Sequence, residues 1–123
     1  MSAETKNTQE QNVDTYALRS TYYRGSLMIS LCDAELVGMK LENNGLTINM
    51  TKAYWQERLV QGAEAESLLR KCYIANLAGR KIVDRAISIR LASPSSVKIY
   101  SGVPFLMLFR FTEPYPHLNQ SDS

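Results

Sequence analysis

The residues with the most obvious chemical potential form a short acidic cluster around a cysteine, Cys32-Asp33-Ala34-Glu35. A cysteine is nucleophilic only as a thiolate, which requires a cationic neighbour or a helix N-terminus to lower its pKa. A helix that begins after Asp33 would supply a favourable dipole, but the carboxylates of Asp33 and Glu35 oppose formation of a thiolate. We therefore expect Cys32 to be a reduced, buried structural residue and Asp33 to cap a short helix over residues 34–37.

Other catalytic and cofactor-binding motifs are missing from the sequence. The only histidine is His117, which lies in the proline-flanked C-terminal tail, and we do not expect such a tail to hold a general base in place. Cys32 and Cys72 are forty residues apart, with no CxxC motif, so neither a zinc site nor a disulfide framework is predicted. No GxGxxG, GxxxxGK[ST] or GxSxG motif occurs. The sequence thus predicts no catalytic residue, no metal and no cofactor.

A polar residue, Asn76, interrupts the apolar face of a predicted helix over residues 63–78, close to Leu69 and Cys72. A buried amide without partners costs about 1–3 kcal/mol, so Asn76 must form hydrogen bonds. Two interpretations stay open. Asn76 braces the backbone of a neighbouring segment, or it points into a site for a ligand or a partner.

Basic residues are concentrated in the middle of the chain. Segment 19–111 carries thirteen basic and seven acidic residues, and stretch 70–90 holds six cations against Asp84 alone. Such an excess is typical of a surface that contacts an anionic partner, and equally of a solvated helix face. The predicted nucleic-acid or anion-binding residues are Arg70, Lys71, Gly79, Arg80, Lys81 and Arg85.

The most specific part of this hypothesis concerns the start of a second predicted helix. Arg80 and Lys81 lie there although the helix dipole disfavours cations at an N-terminus. Free N–H groups at that point, with Gly79 allowing close backbone approach, would form a phosphate site. A continuous or kinked helix would instead leave no free N–H groups. Aromatic rings that could stack on bases are present at Tyr54, Trp55 and Tyr73.

The elements that must position these residues follow from the hydrophobic period. An alternating pattern predicts a β-hairpin around the turn Arg24-Gly25, and the run at Phe105–Phe111 is apolar on both sides. Such a run predicts a strand covered on both faces, or covered once and paired in a homodimer. The predicted elements are strands at 16–23, 27–32, 46–50, 97–100 and 105–111, a helical turn followed by an edge strand within 51–61, and helices at 63–78 and from residue 80 onward.

The chain has 123 residues, of which 45% are hydrophobic and 21% charged, enough for one domain with a core. The order of elements predicts an α+β fold: a two-layer sandwich in which a mainly antiparallel sheet carries two consecutive helices on one face. We expect a disordered polar tail over residues 1–15, the domain over 16–111 and a loose tail over 112–123. Neither a secretory signal nor a membrane span is apparent, which favours the cytoplasm.

Three short motifs resemble a known family when they are taken together. Leu31–Gly38, Ala75–Gly79 and Ser101–Pro104 occur in the order and spacing of the small archaeal family called domain of unknown function 424. The resemblance covers about three-quarters of the chain and implies an archaeal cytosolic α+β protein without an established activity. Members often carry a histidine where this chain has Phe105, which lowers the expectation of an enzyme. The motif residues are Cys32, Asp33, Glu35, Gly38, Asn76, Gly79, Gly102 and Pro104.

Two functional hypotheses follow. The first is a non-catalytic accessory protein that contacts RNA, the ribosome or a translation factor through its basic helical face; the resemblance favours such partners over a metabolite. The second is an enzyme or small-ligand binder that uses Cys32, Asp33 and Glu35 together with Asn76. The second requires Cys32, Asp33 and Asn76 to meet at an open cleft.

Overall fold

The computed structural model describes residues 14–110 as an α+β fold with eight strands and three helices in that range. Of the tail predicted over 1–15, only the last two residues fall in this range, and Thr15 already belongs to a strand; the tail predicted over 112–123 lies outside it. The strands are β1 Thr15–Tyr23, β2 Ser26–Asp33, β3 Lys40–Asn43, β4 Leu46–Asn49, β5 Arg58–Gln61, β6 Ile74–Ala78, β7 Lys98–Tyr100 and β8 Val103–Phe109. The helices are α1 Lys52–Trp55, α2 Gly62–Lys71 and α3 Arg80–Ser88, with 3-10 turns at Ala34–Leu36 and Pro94–Ser96.

Six strands form one mixed sheet in the order β5-β1-β2-β6-β8-β7, and β3 pairs with β4 in a separate hairpin. Only β2 and β6 are parallel neighbours, so the expectation of a mainly antiparallel sheet is confirmed. The predicted β1–β2 hairpin is also confirmed, because Arg24 and Gly25 both adopt the positive φ angles that a tight turn requires. The edge strand predicted at Arg58–Gln61 is present as β5.

The long helix predicted over residues 63–78 is wrong. Helix α2 ends at Lys71, and the chain then enters the sheet as β6. Ala75, Leu77 and Ala78 are almost fully buried in β6, with side chains on both sheet faces. A strand buried on both faces shows no alternation of polar and apolar residues, which is why its pattern was indistinguishable from the end of a helix.

Two hydrophobic clusters cover the two faces of the sheet, so the predicted two-layer sandwich with consecutive helices is not confirmed. Helices α2 and α3 pack on one face through residues such as Leu69 and Ile82, and β6 separates them along the chain. On the opposite face, Leu41, Met50 and Trp55 pack over Cys32. This second cover comes from the first 3-10 turn, the β3–β4 hairpin and α1, and it closes only part of the face.

The final strand is covered on one face. Leu106 and Leu108 are buried under the helices, whereas Met107 and Phe109 on the other face are about half exposed. Strand β8 pairs with β6 over residues 105–109 but with β7 only over residues 103–105. A homodimer through this strand stays a prediction; it would use either the exposed face or the edge of residues 106–109, which β7 does not cover.

Candidate functional site

The three sequence motifs meet at the start of helix α3. Asp33, at the end of β2, accepts a hydrogen bond from the backbone N–H of Lys81 to Oδ2 at 3.0 Å and from that of Ile82 to Oδ1 at 2.9 Å. The N–H of Gly79 donates to the carbonyl oxygen of Pro104 at 2.9 Å. One residue from each motif therefore contributes to fixing the same helix N-terminus.

The prediction that Asp33 caps a short helix directly after it is wrong. The 3-10 turn at Ala34–Leu36 receives no hydrogen bond from the Asp33 side chain, which caps α3 instead. A carboxylate at a helix N-terminus satisfies N–H groups that have no partner within the helix and complements the positive end of the dipole. The N–H groups that the sequence assigned to a phosphate are thus already bonded to a carboxylate of the same chain.

The acidic cluster does not present a nucleophile at the surface. The Cys32 side chain is fully buried, and this burial, together with the charges of Asp33 and Glu35, raises the pKa of its thiol to about 12. Asp33 is also buried, and desolvation raises the pKa of its carboxyl group although the two backbone N–H groups act in the opposite direction. A thiol with so high a pKa is protonated at neutral pH.

Two of the cations assigned to anion binding have carboxylate partners. The Lys81 ammonium group lies 2.7 Å from Glu35 Oε2, and this hydrogen bond raises the pKa of Lys81. The Arg85 guanidinium contacts Asp14 Oδ1 at 2.6 Å and Glu66 Oε2 at 3.4 Å. These contacts leave less of the positive charge of α3 available to an external anion than the sequence implied.

Asn76 lies in β6, not on a helix, and it does not join the Asp33 cluster. It pairs with Ser30 on β2 and with Met107 on β8. Strand alternation places its side chain on the face opposite to the helices, whereas Asp33 reaches the helix side. The Asn76 Nδ2 donates a hydrogen bond to the hydroxyl oxygen of Tyr54 at 2.9 Å. Cys32, Asp33 and Asn76 therefore do not converge on one open cleft.

The remaining motif glycines serve turns. Gly38 has a φ of +95° and donates its N–H to the carbonyl oxygen of Met50 at 2.7 Å, which fastens the 3-10 turn to the β3–β4 hairpin. Gly102 has a φ of +79° in the turn between β7 and β8, with open space around it. Neither residue contributes to the start of α3.

A basic groove of about 490 Å³ lies at the other end of β6, where the β1–β2 turn meets the end of α2. Arg70 and Lys71, the last residues of α2, lie in its wall together with Arg110, which follows β8. The wall contains no acidic side chain, and it includes Tyr22, a residue that is 70% exposed. We call this the α2–hairpin groove; its lining residues are Tyr22, Gly25, Ser26, Leu27, Arg70, Lys71, Cys72, Tyr73 and Arg110.

Arg110 was not identified from the sequence as part of any site. Its guanidinium donates to the carbonyl oxygens of Leu69 at 3.0 Å and Arg70 at 3.4 Å, and so caps the C-terminus of α2. Arg70 and Lys71 form no ion pair with any residue in the range 14–110. The sheet register explains the convergence, since the N–H of Arg110 donates to the carbonyl oxygen of Tyr73 immediately after α2.

The predicted basic residues therefore do not form one continuous helical face. Arg70 and Lys71 precede β6 and Arg80 follows it, so the two groups lie at opposite ends of a five-residue strand. Such a strand is about 16 Å long. Arg70 and Lys71 lie in the α2–hairpin groove, and Arg80 lies at the start of α3.

Within residues 14–110, no group of three or more His, Cys, Asp or Glu side chains is arranged to hold a metal ion. The helices in the same range are all too short or too polar to cross a membrane.

Comparison with known proteins gives one family and one fold. The family described as "Protein of unknown function (DUF424)" matches residues 21–111. None of the curated proteins matches the chain. The crystal structure of an uncharacterised conserved protein from Methanopyrus kandleri is similar, with a TM-score of 0.62 at 19% sequence identity over 81% of this chain and 99% of that chain. At this identity the likeness shows the fold alone.

Proposed function

The chain belongs to the DUF424 family of proteins of unknown function, and we propose that it is a non-catalytic, cytoplasmic accessory protein that binds RNA through the α2–hairpin groove. The observation that carries the proposal is the concentration of Arg70, Lys71 and Arg110 in a concave wall without a carboxylate. Cations grouped in this way attract phosphates and release counterions when a nucleic acid binds. Ribosomal RNA, or RNA held with a translation factor, presents the same phosphates.

The geometry of Arg110 favours a bound phosphate backbone. Its contacts with two carbonyl oxygens at the end of α2 fix the guanidinium beside Arg70 and Lys71. A cation that is held in place loses little side-chain entropy when a ligand binds. The exposed ring of Tyr22 adds a face on which a base can stack.

The alternative of an enzyme or small-ligand binder has less support. It needs Cys32 to be reactive, yet the side chain is buried and its pKa is raised to about 12. It also needs Asp33 and Asn76 to share a cleft, but these two residues lie on opposite faces of the sheet.

The proposal can be tested by RNA binding across a salt series. Fluorescence anisotropy would measure the affinity of an unstructured single-stranded RNA for the wild type and for the double variant Arg70→Glu/Lys71→Glu. Each lost phosphate contact on a single strand reduces the slope of log K against log[salt] by about 0.7. We expect the double variant to lose about two such contacts and to bind much more weakly at low salt.

The matched control is Lys40→Glu/Arg80→Glu, which changes the net charge by the same amount with two exposed cations remote from the groove. Lys40 and Arg80 have no ion pair within residues 14–110. The control should keep the wild-type slope, although its affinity for RNA should be lower by about the same factor at every salt concentration. A wild type that binds no RNA would disprove the function, and a control that alone loses the slope would move the RNA site from the groove to Lys40 or Arg80.

A further inference from the structure

The α2–hairpin groove is short compared with the surfaces that follow a nucleic-acid strand. Its volume of about 490 Å³ lies in the range of sites for single small molecules. Folds that track single-stranded nucleic acid hold about 4–16 nucleotides. The β1–β2 turn at Gly25 and Ser26 and the end of α2 at Lys71 both contribute to the wall. The groove therefore has room for a group the size of one nucleotide.

The positive charge of the groove exceeds the charge of one internal phosphate. Arg70, Lys71 and Arg110 bring three cations to the wall, and no carboxylate lines it. A phosphodiester inside a strand carries one negative charge. A phosphate monoester carries about 1.5 to 2 negative charges at pH 7. Three cations around one nucleotide therefore balance a monoester at the end of a strand better than a phosphodiester within it.

Unused hydrogen-bond donors surround the same space. Arg110 donates two of its five N–H groups to the carbonyl oxygens of Leu69 and Arg70, so three have no partner among residues 14–110. Both acceptors are uncharged, so the guanidinium keeps its net charge. The hydroxyl group of Ser26 also forms no hydrogen bond within that range, and no atom lies within 4 Å of the position that a Cβ of Gly25 would occupy. A monoester has three strong acceptor oxygens and can use these donors.

Tyr22 is placed to stack on the base of the same nucleotide. It is 70% exposed and lies in the wall of the groove with the three cations. Stacking on a tyrosine ring tolerates any base, since every base has a π face. The groove therefore suits the end of an RNA whatever its sequence.

We propose that the α2–hairpin groove binds the terminal nucleotide of an RNA through its phosphate monoester. This inference rests on the proposed function and names the part of the RNA that the groove holds. Arg70, Lys71 and Arg110 bind the monoester. Ser26 donates its hydroxyl hydrogen to the same group, and Tyr22 stacks on the base. Monoesters at the 5′ end and at the 3′ end share this chemistry, and the test separates them.

The test uses one unstructured RNA sequence in three forms: with a 5′ phosphate, with a 3′ phosphate, and with hydroxyl groups at both ends. A fluorophore on an internal base leaves both ends free, and anisotropy measures the affinity of each form. We expect a phosphorylated form to bind about tenfold more tightly than the form with two hydroxyl ends, because one charge-assisted hydrogen bond is worth about that factor. The end that gives the preference is the end that the groove binds.

Single substitutions separate the groove from a general effect of charge. Arg70→Gln and Lys71→Gln should each reduce the preference for the phosphorylated RNA by about threefold or more. Both residues are exposed and form no ion pair within residues 14–110, so these variants should fold. Ser26→Ala should also reduce the preference without changing the charge of the protein. The matched control is Arg80→Gln, which removes one exposed cation outside the groove and should keep the preference.

The preference should also depend on pH, because a phosphate monoester has a second pKa of about 6. Its charge falls from about −2 towards −1 as the pH is lowered from about 7.5 to about 5.5, whereas the charge of internal phosphates does not change. The titratable side chains that line the groove are three cations, two tyrosines and a cysteine. Side chains of these types keep their charge over this interval. The ratio of the two affinities should therefore decrease at the lower pH.

The outcomes distinguish this inference from the proposed function. Equal affinities of the wild type for the three RNA forms, with a salt slope that depends on Arg70 and Lys71, would overturn the terminal-phosphate site and keep the groove. A preference that persists unchanged in Arg70→Gln and Lys71→Gln, or that Arg80→Gln reduces as much, would also overturn it. Absence of binding to every form would overturn both proposals.

Discussion

The carboxylate of Asp33 reaches the start of helix α3 because residue 79 is a glycine. A Cβ atom on Gly79 would lie 2.5 Å from Oδ2 and 2.8 Å from Oδ1 of Asp33, closer than side-chain carbons approach other atoms. Gly79 also has a φ of +116° and a ψ of +148°, a combination that is essentially restricted to glycine. The buried cap therefore depends on two motifs that are far apart in sequence.

Gly79→Ala should be among the most destabilising single substitutions in the domain. The new methyl group meets the Asp33 carboxylate and the backbone is strained, so we expect a loss of about 3 kcal/mol in the free energy of unfolding. Gly102→Ala is the matched control, because its φ is also positive but nothing lies within 4 Å of the added carbon. Urea unfolding should give a loss of only about 1 kcal/mol for Gly102→Ala. Equal losses for the two variants would show that the close approach of Asp33 to residue 79 adds nothing to the cost of the substitution.

Substitution of Asp33 by asparagine should reveal the pH dependence of the cap. Burial raises the pKa of Asp33 above 3.8, so the folded state holds this proton more tightly than the unfolded state does. The resulting contribution to stability is complete below the unfolded pKa and is lost as the pH rises through the folded pKa. The free energy of unfolding of the wild type relative to Asp33→Asn should therefore fall as the pH rises from below 3.8. A difference that grows with pH would mean that the two N–H bonds outweigh desolvation.

The sequence predicted the elements whose period is visible and failed where burial on two sides hides it. The β1–β2 hairpin and the inward face of α3 at Ile82 and Val83 were predictable, because one face of each is polar. Strand β6 was not, because it lies between β2 and β8 with buried alanines that also suit a helix. That single error put Asn76 on the wrong element.

The candidate sites were predictable only in part, because tertiary contacts decide which charges are free. Nothing in the local sequence distinguishes Lys81 and Arg85 from Arg70 and Lys71. In the structure, Lys81 and Arg85 contact carboxylates that lie 19 to 71 residues away in the chain. Arg110 enters the groove through the register of β8 with β6, which no local pattern reveals. The target of the Asp33 cap lies 48 and 49 residues downstream and was equally hidden.

Both cysteines should resist modification in the folded protein. Cys32 is fully buried with its pKa raised to about 12, and burial also raises the pKa of Cys72, which is 3% exposed. A thiol-specific chromogenic reagent at neutral pH should therefore label neither residue in native buffer and both after denaturation. Rapid native labelling of Cys32 would contradict its burial and restore the nucleophile hypothesis. The variant Cys72→Ala identifies which thiol reacts.

Arg85 should contribute to stability and not to RNA binding. Its guanidinium bridges Asp14 before β1 and Glu66 on α2, and it lies 5.8 Å from the centre of the Tyr16 ring. Because the side chain is 27% exposed, solvent screens these pairs, and Arg85→Ala should lower the free energy of unfolding by about 1 kcal/mol. Arg85→Lys should lie between Arg85→Ala and the wild type, since an ammonium group cannot reproduce the forked contact with two carboxylates.

Arg80→Ala is the control for Arg85, because Arg80 is an exposed cation on the same helix without an ion pair among residues 14–110. Urea unfolding should place Arg80→Ala within about 0.5 kcal/mol of the wild type. Anisotropy in the salt series should give Arg85→Ala the wild-type slope, because its charge is already neutralised by Asp14 and Glu66 and lies outside the α2–hairpin groove. A slope reduced by about 0.7 in Arg85→Ala would instead place a phosphate on α3. That result would return the RNA surface to the helical face that the sequence first indicated.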